Sequence, residues 1–161
     1  MGNFNFERVL KCNAAEAHRL LVAPAVLERW SKRQDPVDYR ISVCNGTVKV
    51  LWILSTVHIP APFKGMVGEK IELESTFDWR SPSTADASLR IKCARKGELR
   101  GLVSLVSPTS TSHTTRLTVE GQINIDANFV IAKLVRNELV VPVLHELCDE
   151  VEGKHQIVKT A

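Results

Sequence analysis

Residues 37–54 read VDYRISVCNGTVKVLWIL, and this stretch decides the fold. Apolar and polar residues alternate on both sides of Asn45-Gly46, a dipeptide that favours a type I′ turn because both turn positions need positive φ. A two-residue turn fixes the register of the two strands, so that Tyr39 faces Trp52. The large apolar side chains of both strands then share one face. The stretch therefore predicts an antiparallel hairpin with one buried face.

The same period of two continues in later segments and extends the predicted sheet. A three-residue loop, 95–97, ends in a glycine and predicts a second, bulged hairpin. In that hairpin we expect Cys93 to face Leu99 and Leu89 to face Val103. The inward rows of the remaining strands are represented by Leu73, Phe77 and Leu117.

Helical signals flank the predicted sheet. Asn13 is a suitable N-cap for a short helix over residues 14–22, and Pro24 suits the first turn of a second helix that runs to about Arg33. These helices follow a first strand, residues 4–10, whose alternation blurs at residues 7–9 and indicates a bulge. From about residue 126 an apolar stripe with steps of three and four predicts a long helix. The stripe consists of Val130, Leu134, Asn137, Val141, Leu144, Cys148 and Val151.

The order of elements predicts an α+β fold in one domain, residues 1–161: a curved seven-stranded antiparallel sheet wrapped around a long C-terminal helix, with two short helices between strands 1 and 2. Small residues such as Gly101, Gly121 and Ser75 interrupt the inward rows. They mark bends in the strands, leave room for a ligand, or only allow the helix to pack closely. The pattern alone does not separate these three interpretations.

Composition narrows the function classes. The net charge is +3 and the sequence pI is about 8.7, which is a small surplus and no basic stripe, so we expect no nucleic-acid partner. The N-terminal residues lack a signal-peptide pattern and no apolar run is long enough to span a bilayer, so we expect a cytoplasmic protein with at most transient membrane contact. The four cysteines lie far apart, without metal-ligand spacing, and no cofactor motif occurs, so we expect neither a metal nor a cofactor.

Several segments resemble a known superfamily. These are FNFERVLKCNAAEAHRLL near the start, GEKIELESTFDW, GELRGLVSLVSP, and TTRLTVEGQINI before the last helix. Together with the order of elements they resemble the START/SRPBCC superfamily, the helix-grip fold of birch-pollen-allergen-like proteins, polyketide cyclases and lipid-transfer domains. Within it, the chain is similar to a branch of actinobacterial proteins of unknown function. Pro142 departs from an uninterrupted last helix, because it removes the bond to the Glu138 carbonyl and should bend the helix.

The resemblance implies a hydrophobic cavity between the sheet and the long helix. We therefore expect the protein to bind an apolar or amphipathic small molecule that is lipid-like, polyketide-like or isoprenoid-like. The alternatives are a cyclase- or dehydratase-type enzyme that uses the same cavity and a protein-interaction module. The oligomeric state is left open. The predicted ligand contacts are Tyr39, Trp52, Leu54, His58, Phe63, Leu73, Phe77, Leu89, Val103, Leu117, Val130, Leu134, Asn137 and Val141.

Catalysis has little support in the pattern. The inward rows of the later strands carry no carboxylate, so a paired-carboxylate mechanism has no site. His58 is an inward histidine without an orienting partner, and we expect it at the solvent edge. Asn137 interrupts an apolar stripe, so we expect a buried amide bonded to a ligand, Tyr39, water or a neighbouring carbonyl. Residues 59–67, which include Phe63, contain two prolines and a glycine, and they predict either a mobile lid over the cavity mouth or a plug of the core.

Overall fold

A computed structural model describes residues 2–55, 70–79, 86–93, 97–109, 113–125 and 135–153. The described residues form seven strands and three helices, with a π-helical turn before the last helix. In chain order the elements are β1 (Gly2–Leu10), α1 (Ala14–Leu21), α2 (Pro24–Arg33), β2 (Asp38–Cys44), β3 (Thr47–Ser55), β4 (Lys70–Trp79), β5 (Asp86–Cys93), β6 (Gly97–Val106), β7 (Thr115–Ile125), the π turn (Arg136–Val140) and α3 (Val141–Val151).

The strands form a single antiparallel, curved sheet in the order β1-β7-β6-β5-β4-β3-β2. The two short helices lie between β1 and β2, and α3 packs against α2, β1 and α1. The predicted α+β helix-grip architecture is therefore confirmed. The first hairpin also has the predicted register, with Tyr39 opposite Trp52. Its turn residues Asn45 and Gly46 have φ values of 51° and 82°, as a type I′ turn requires.

The predicted register of the second hairpin is wrong by two residues. Cys93 pairs with Gly97 rather than Leu99, and Leu89 pairs with Gly101 rather than Val103. Gly97 thus belongs to β6 and is not a loop residue. A shift of two residues leaves every side chain on the same face, because side chains in a strand alternate with a period of two. The inward rows are therefore correct although the partners within them are not.

The first strand contains no bulge. β1 pairs with β7 without interruption from Gly2, opposite Ile123, to Leu10, opposite Thr115. Phe4, Phe6 and Leu10 are buried, and Arg8 continues their row on the same face. The expected bulge is therefore wrong, because a charged side chain at an inward position was interpreted as a break in the alternation.

Two facing glycines make the close approach of β6 and β7 possible. Gly101 and Gly121 are direct partners in the sheet. A Cβ on Gly121 would lie 2.0 Å from the Arg100 carbonyl oxygen, and a Cβ on Gly101 would lie 2.7 Å from that of Glu120. Such distances exclude a side chain at either position. These two glycines therefore serve the curvature of the sheet and do not hold space open for a ligand.

The last helix adjusts to Pro142 through the π turn. The Val141 N–H donates to the Arg136 carbonyl, which is the i to i−5 pattern of a π-helix. A proline has no N–H to donate, and here it occupies the first turn of α3, where the missing donor is tolerated. The regular α-helical hydrogen bonding, which the sequence predicts to be disturbed at Pro142, is thus replaced by a π turn just before the proline. The predicted N-terminal part of the helix, residues 126–134, lies outside the described residues.

The two short helices begin where the sequence predicts. Asn13 Oδ1 accepts the Glu16 N–H at 2.8 Å and caps α1. Pro24 opens α2, which ends at Arg33. The Glu16 side chain, however, pairs with Arg19 rather than with the Asn13 N–H, so the capping box is only half formed.

Candidate ligand-binding site

An aromatic cluster fills the interior beneath α2. The Trp30 and Trp52 rings meet edge to face with centroids 4.6 Å apart, and Phe77 lies 6.4 Å from Trp30. All three side chains are buried. Close-packed aromatic rings of this kind leave no space for a ligand among them. Any cavity must therefore lie elsewhere on the inner face.

Buried hydrogen bonds hold this cluster in place. Trp52 Nε1 donates to Ser31 Oγ at 2.8 Å, and that hydroxyl donates to the Leu27 carbonyl at 2.8 Å. Trp30 Nε1 donates to the Val143 carbonyl at 2.9 Å and thereby ties α2 to α3. Because each indole N–H has a partner, burial of the two tryptophans leaves no donor unsatisfied.

Four apolar residues at one end of the inner face are incompletely covered, although Ile71, which pairs with Leu54 there, is buried. Leu54, Leu73, Cys93 and Ile125 stand at the adjoining ends of β3, β4, β5 and β7, and all four are half-buried. In the sheet register Leu73 of β4 pairs with Cys93 of β5. Cys93 pairs with Gly97 of β6, which in turn pairs with Ile125 of β7. We call these four residues the open end. Apolar side chains that a sheet keeps on its inner face without burying them fully are typical of a ligand-binding surface.

The helix shows the same asymmetry along its length. None of the residues in the π turn is buried, whereas α3 buries six of its eleven. Val140 and Val141 are half-buried and pack against the core. α3 is thus fixed to the core after Pro142, whereas the π turn, the described stretch Arg136–Val140, buries none of its side chains fully.

The predicted ligand contacts divide into four groups. Trp52, Phe77, Leu89, Val103 and Leu117 are fully buried core residues. Leu54, Leu73, Tyr39 and Val141 are half-buried on the same interior. Asn137 is exposed, and His58, Phe63, Val130 and Leu134 lie outside the described residues, as do residues 59–67 with the expected lid. A contact between any of them and a ligand stays a prediction.

Asn137 does not occupy the buried position that its place in the stripe predicts. It is exposed, and its Oδ1 accepts from Arg136 Nε at 3.4 Å. The expectation of a buried amide is therefore wrong. The reason is the π turn: its wider turn rotates the residues before Pro142 relative to those after it, so a stripe extrapolated with α-helical steps loses its phase there. Tyr39 is likewise not its partner, because the Tyr39 hydroxyl donates to Glu28 Oε1 at 3.2 Å.

An ionic clamp, which sequence reasoning missed, holds α3 at the other end of the inner face. Arg8 Nη2 lies 2.6 Å from Asp149 Oδ1 and 2.6 Å from Glu152 Oε1, and its Nη1 donates to the His145 carbonyl. On the α2 side Glu150 accepts from two arginines. The ionic clamp consists of Arg8, Arg29, Arg33, Asp149, Glu150 and Glu152.

Charges within the ionic clamp compensate one another. Burial lowers the pKa of Arg8, but its hydrogen bonds to Asp149 and Glu152 outweigh that effect and raise it. Beside the clamp, burial raises the pKa of the Cys148 thiol to about 12, so this cysteine is an inert core residue. Burial also raises the pKa of Glu146, against a hydrogen bond from Gln34 that lowers it. The signal for the clamp was present in the sequence, since Arg8 keeps the period of Phe4, Phe6 and Leu10.

Two buried polar atoms have no hydrogen-bond partner among the described residues: Ser75 Oγ and Trp79 Nε1. Trp79 lies against the His18 ring, edge to face, with centroids 4.9 Å apart. Burial lowers the pKa of His18. Ser75 stands on the inner face between Val50 and Ile91. It is the hydroxyl nearest to Leu73 along β4.

Two searches of the described residues gave negative results. No group of three His, Cys, Asp or Glu side chains in them is arranged to hold a metal ion. No helix in that part of the chain is long and apolar enough to cross a membrane.

The described residues form a helix-grip fold, and several solved structures resemble the chain in this fold. The Zhui aromatase/cyclase from Streptomyces sp. R1128 has a TM-score of 0.63 at 12% identity, over 96% of this chain and 93% of that one. Norcoclaurine synthase from Thalictrum flavum has a TM-score of 0.65 at 10% identity, over 95% and 85%. A protein from Thermus thermophilus has a TM-score of 0.65 at 13% identity, over 95% and 99%.

The chain belongs to the DUF2505 family, described as "Protein of unknown function", whose family model matches residues 5–153. None of the curated proteins is similar enough in sequence to match it. The helix-grip fold implied by the resemblance is therefore confirmed, and membership of the START/SRPBCC superfamily and of an actinobacterial branch stays a prediction. At identities of 10–13% the solved structures support the shared fold.

Proposed function

We propose that this protein binds an apolar or amphipathic small molecule at the open end, between the inner face of the sheet and the C-terminal helix. The observation that carries the proposal is the unequal filling of one interior. The aromatic cluster beneath α2 is close-packed, whereas Leu54, Leu73, Cys93 and Ile125 are left half-buried. A ligand that covered these side chains would remove apolar surface from water, at about 25 cal/mol per Å².

A cyclase- or dehydratase-type enzyme that uses the same site is the second candidate. Two of the similar structures are an aromatase/cyclase and norcoclaurine synthase, which makes the fold compatible with chemistry. On the described inner face of β2–β7, however, no inward side chain is a carboxylate or a histidine, and the Glu28 carboxylate that accepts from the Tyr39 hydroxyl is an exposed group of α2. Proton transfer usually needs such a group, so the arrangement favours binding.

The proposal can be tested with a neutral fluorescent probe, N-phenyl-1-naphthylamine, whose emission rises in apolar surroundings. The native protein should bind it saturably. Leu73→Trp should weaken binding by an order of magnitude or more, because the added ring occupies the open end. The matched control is Leu102→Trp, since Leu102 is an exposed leucine on the outer face of β6. Equal loss in both variants, or no saturable binding by the native protein, would refute the proposal.

Native mass spectrometry of protein purified from its own host gives an independent measurement. A bound molecule should appear as a discrete mass increase that Leu73→Trp removes and Leu102→Trp retains. A native spectrum with the mass of the chain alone, together with no probe binding, would contradict a binding role.

A further inference from the structure

The Ser75 hydroxyl is a buried polar group without a partner. Ser75 is 1% exposed, and its Oγ has no hydrogen bond to any described residue. Its neighbours across the sheet, Val50 and Ile91, are 0% and 4% exposed and offer it no polar side-chain atom. Buried hydroxyls are normally hydrogen-bonded, so this one requires an explanation.

The position of Ser75 explains why its hydroxyl has no partner among the described residues. It follows Leu73 by two residues on the same face of β4, which is about 7 Å along the strand. Leu73 belongs to the open end, so a molecule that covers Leu73 reaches Ser75 with an atom a few bonds further in. The other unpartnered atom is Trp79 Nε1. Trp79 is the last residue of β4, four residues beyond Ser75 and beside His18, so it lies away from the open end.

The charges of the inner face limit what that atom can be. On the described inner face of β2–β7 every side chain is uncharged, and Arg8 of β1 is engaged with Asp149 and Glu152. A carboxylate brought next to Ser75 would be desolvated without a cation from the sheet to compensate it, which is strongly unfavourable. An uncharged oxygen meets no such penalty.

We propose that Ser75 donates a hydrogen bond to an uncharged oxygen of the ligand, a ketone, ester or hydroxyl oxygen, so that the ligand class is neutral oxygenated molecules rather than hydrocarbons or fatty-acid anions. This inference rests on the proposed function. Beyond the proposed function, the inference names the residue that orients the ligand and the chemical group that this residue recognises. No described residue bonds to this hydroxyl, and the ligand would supply its acceptor.

Three probes of one shape test the inference: diphenylmethane, benzophenone and diphenylacetate. Benzophenone has a carbonyl group in place of the central CH₂ of diphenylmethane. Diphenylacetate carries a carboxylate on that same central carbon. Calorimetric titration of the native protein should give a dissociation constant roughly three- to tenfold lower for benzophenone than for diphenylmethane, the range of one hydrogen bond. Diphenylacetate should bind more weakly than both. Ser75→Ala should abolish the preference for benzophenone and leave diphenylmethane unchanged.

Ser104→Ala is the matched control, because Ser104 is a strand serine on the outer face, opposite Thr118. It should change none of the three constants. A second measurement does not depend on binding: in the absence of probe, Ser75→Ala should unfold at the same urea concentration as the native protein or a higher one, since it removes an unsatisfied hydroxyl.

The outcomes separate this inference from the proposed function. If diphenylmethane and benzophenone bind equally and Ser75→Ala changes neither, the inference is wrong and the binding function stands. If diphenylacetate binds as tightly as benzophenone, the restriction to neutral ligands is wrong. A clearly lower urea midpoint for Ser75→Ala would mean that the hydroxyl is already satisfied, which also overturns the inference. If no neutral probe binds, the proposed function itself fails.

Discussion

Replacing Arg8 by methionine should destabilise this protein far more than the loss of an ordinary ion pair. Arg8 makes two contacts of 2.6 Å to Asp149 and Glu152, and its side chain is only 15% exposed. The Glu152 side chain is 5% exposed. Methionine keeps much of the apolar volume of the arginine stem but removes the charge, so both carboxylates lose the guanidinium that compensates their burial.

The expected loss follows from the burial of the pair. Removing one partner of a buried ion pair costs about 3–5 kcal/mol, whereas a solvent-exposed pair contributes about 0–1 kcal/mol. Since typical domains unfold with about 5–15 kcal/mol, Arg8→Met should take away roughly a fifth or more of the stability. In thermal unfolding of a chain this size the same change corresponds to a decrease of roughly 10 °C in Tm.

Urea unfolding followed by circular dichroism measures this loss, with Arg116→Met as the matched control. Arg116 pairs with Glu7 at 3.0 Å on the outer face of the same strand pair, where both side chains are about 60% exposed (61% and 58%). Adding Glu152→Gln to Arg8→Met should restore part of the stability, because it removes the charge of one of the two carboxylates that lose their contact with Arg8. If Arg8→Met costs no more than Arg116→Met, the clamp does not hold α3 and the reasoning is refuted.

Three further predictions concern the packing and the titrating groups. Gly121→Ala should destabilise the protein by several kcal/mol in urea unfolding, because its Cβ would overlap the backbone of β6, whereas Gly2→Ala, which meets nothing closer than 3.9 Å, should be near neutral; equal effects would contradict the close approach. Burial raises the pKa of Glu146, so its contribution to stability is fully present below the unfolded-state pKa and is lost as the pH rises through the folded-state value. Glu146→Gln should therefore be more stable than the native protein at pH 7 and equal to it near pH 4, and a destabilised variant at pH 7 would reverse this sign. In thiol titration of the folded protein the exposed Cys44 should react rapidly and Cys148, with a pKa of about 12, only on unfolding; rapid reaction of Cys148 would show that α3 is not packed as described.

The two hairpins show which part of a sheet a sequence determines. The Asn45-Gly46 turn admits one register, because only a two-residue loop gives both residues positive φ. The loop near Gly97 is compatible with two registers. Both registers bring the same apolar rows together, because they differ by two residues. Burial patterns therefore predict the face of every strand correctly, while the partner within a row depends on the loop.

Arg8 shows a second limit. Its inward position follows from the alternation of Phe4, Phe6 and Leu10, but a charge can be buried only when partners compensate it. Those partners, Asp149 and Glu152, are more than 140 residues away in the chain. A local pattern does not contain that information, so the blurred alternation at residues 7–9 indicated a bulge rather than the attachment point of the last helix.

The candidate site was predictable in outline and not in detail. The resemblance and the apolar rows predict a ligand between sheet and helix. Leu54 and Leu73 are half-buried on the inner face, and their contact with a ligand stays a prediction. The rows did not reveal that Trp52 is engaged by Ser31, because the contact comes from α2 and not from the sheet. Nor did they reveal that Asn137 is rotated out of its stripe by the π turn.

The ion pairs that hold α3 lie away from the open end. If the ion pairs that fix α3 stood near Leu73, any ligand entering there would have to desolvate charges or displace their partners, and a neutral molecule would be at a disadvantage. Instead the clamp is centred on Arg8, whose sheet partner Leu117 is separated from Ile125 by eight residues of β7. α3 is thus held by the ionic clamp near its C-terminal end, and near its beginning by the packing of Val141 and by the hydrogen bond from Trp30 to the Val143 carbonyl. A ligand bound at the open end, as proposed, would contact apolar side chains without disturbing the ion pairs of the clamp.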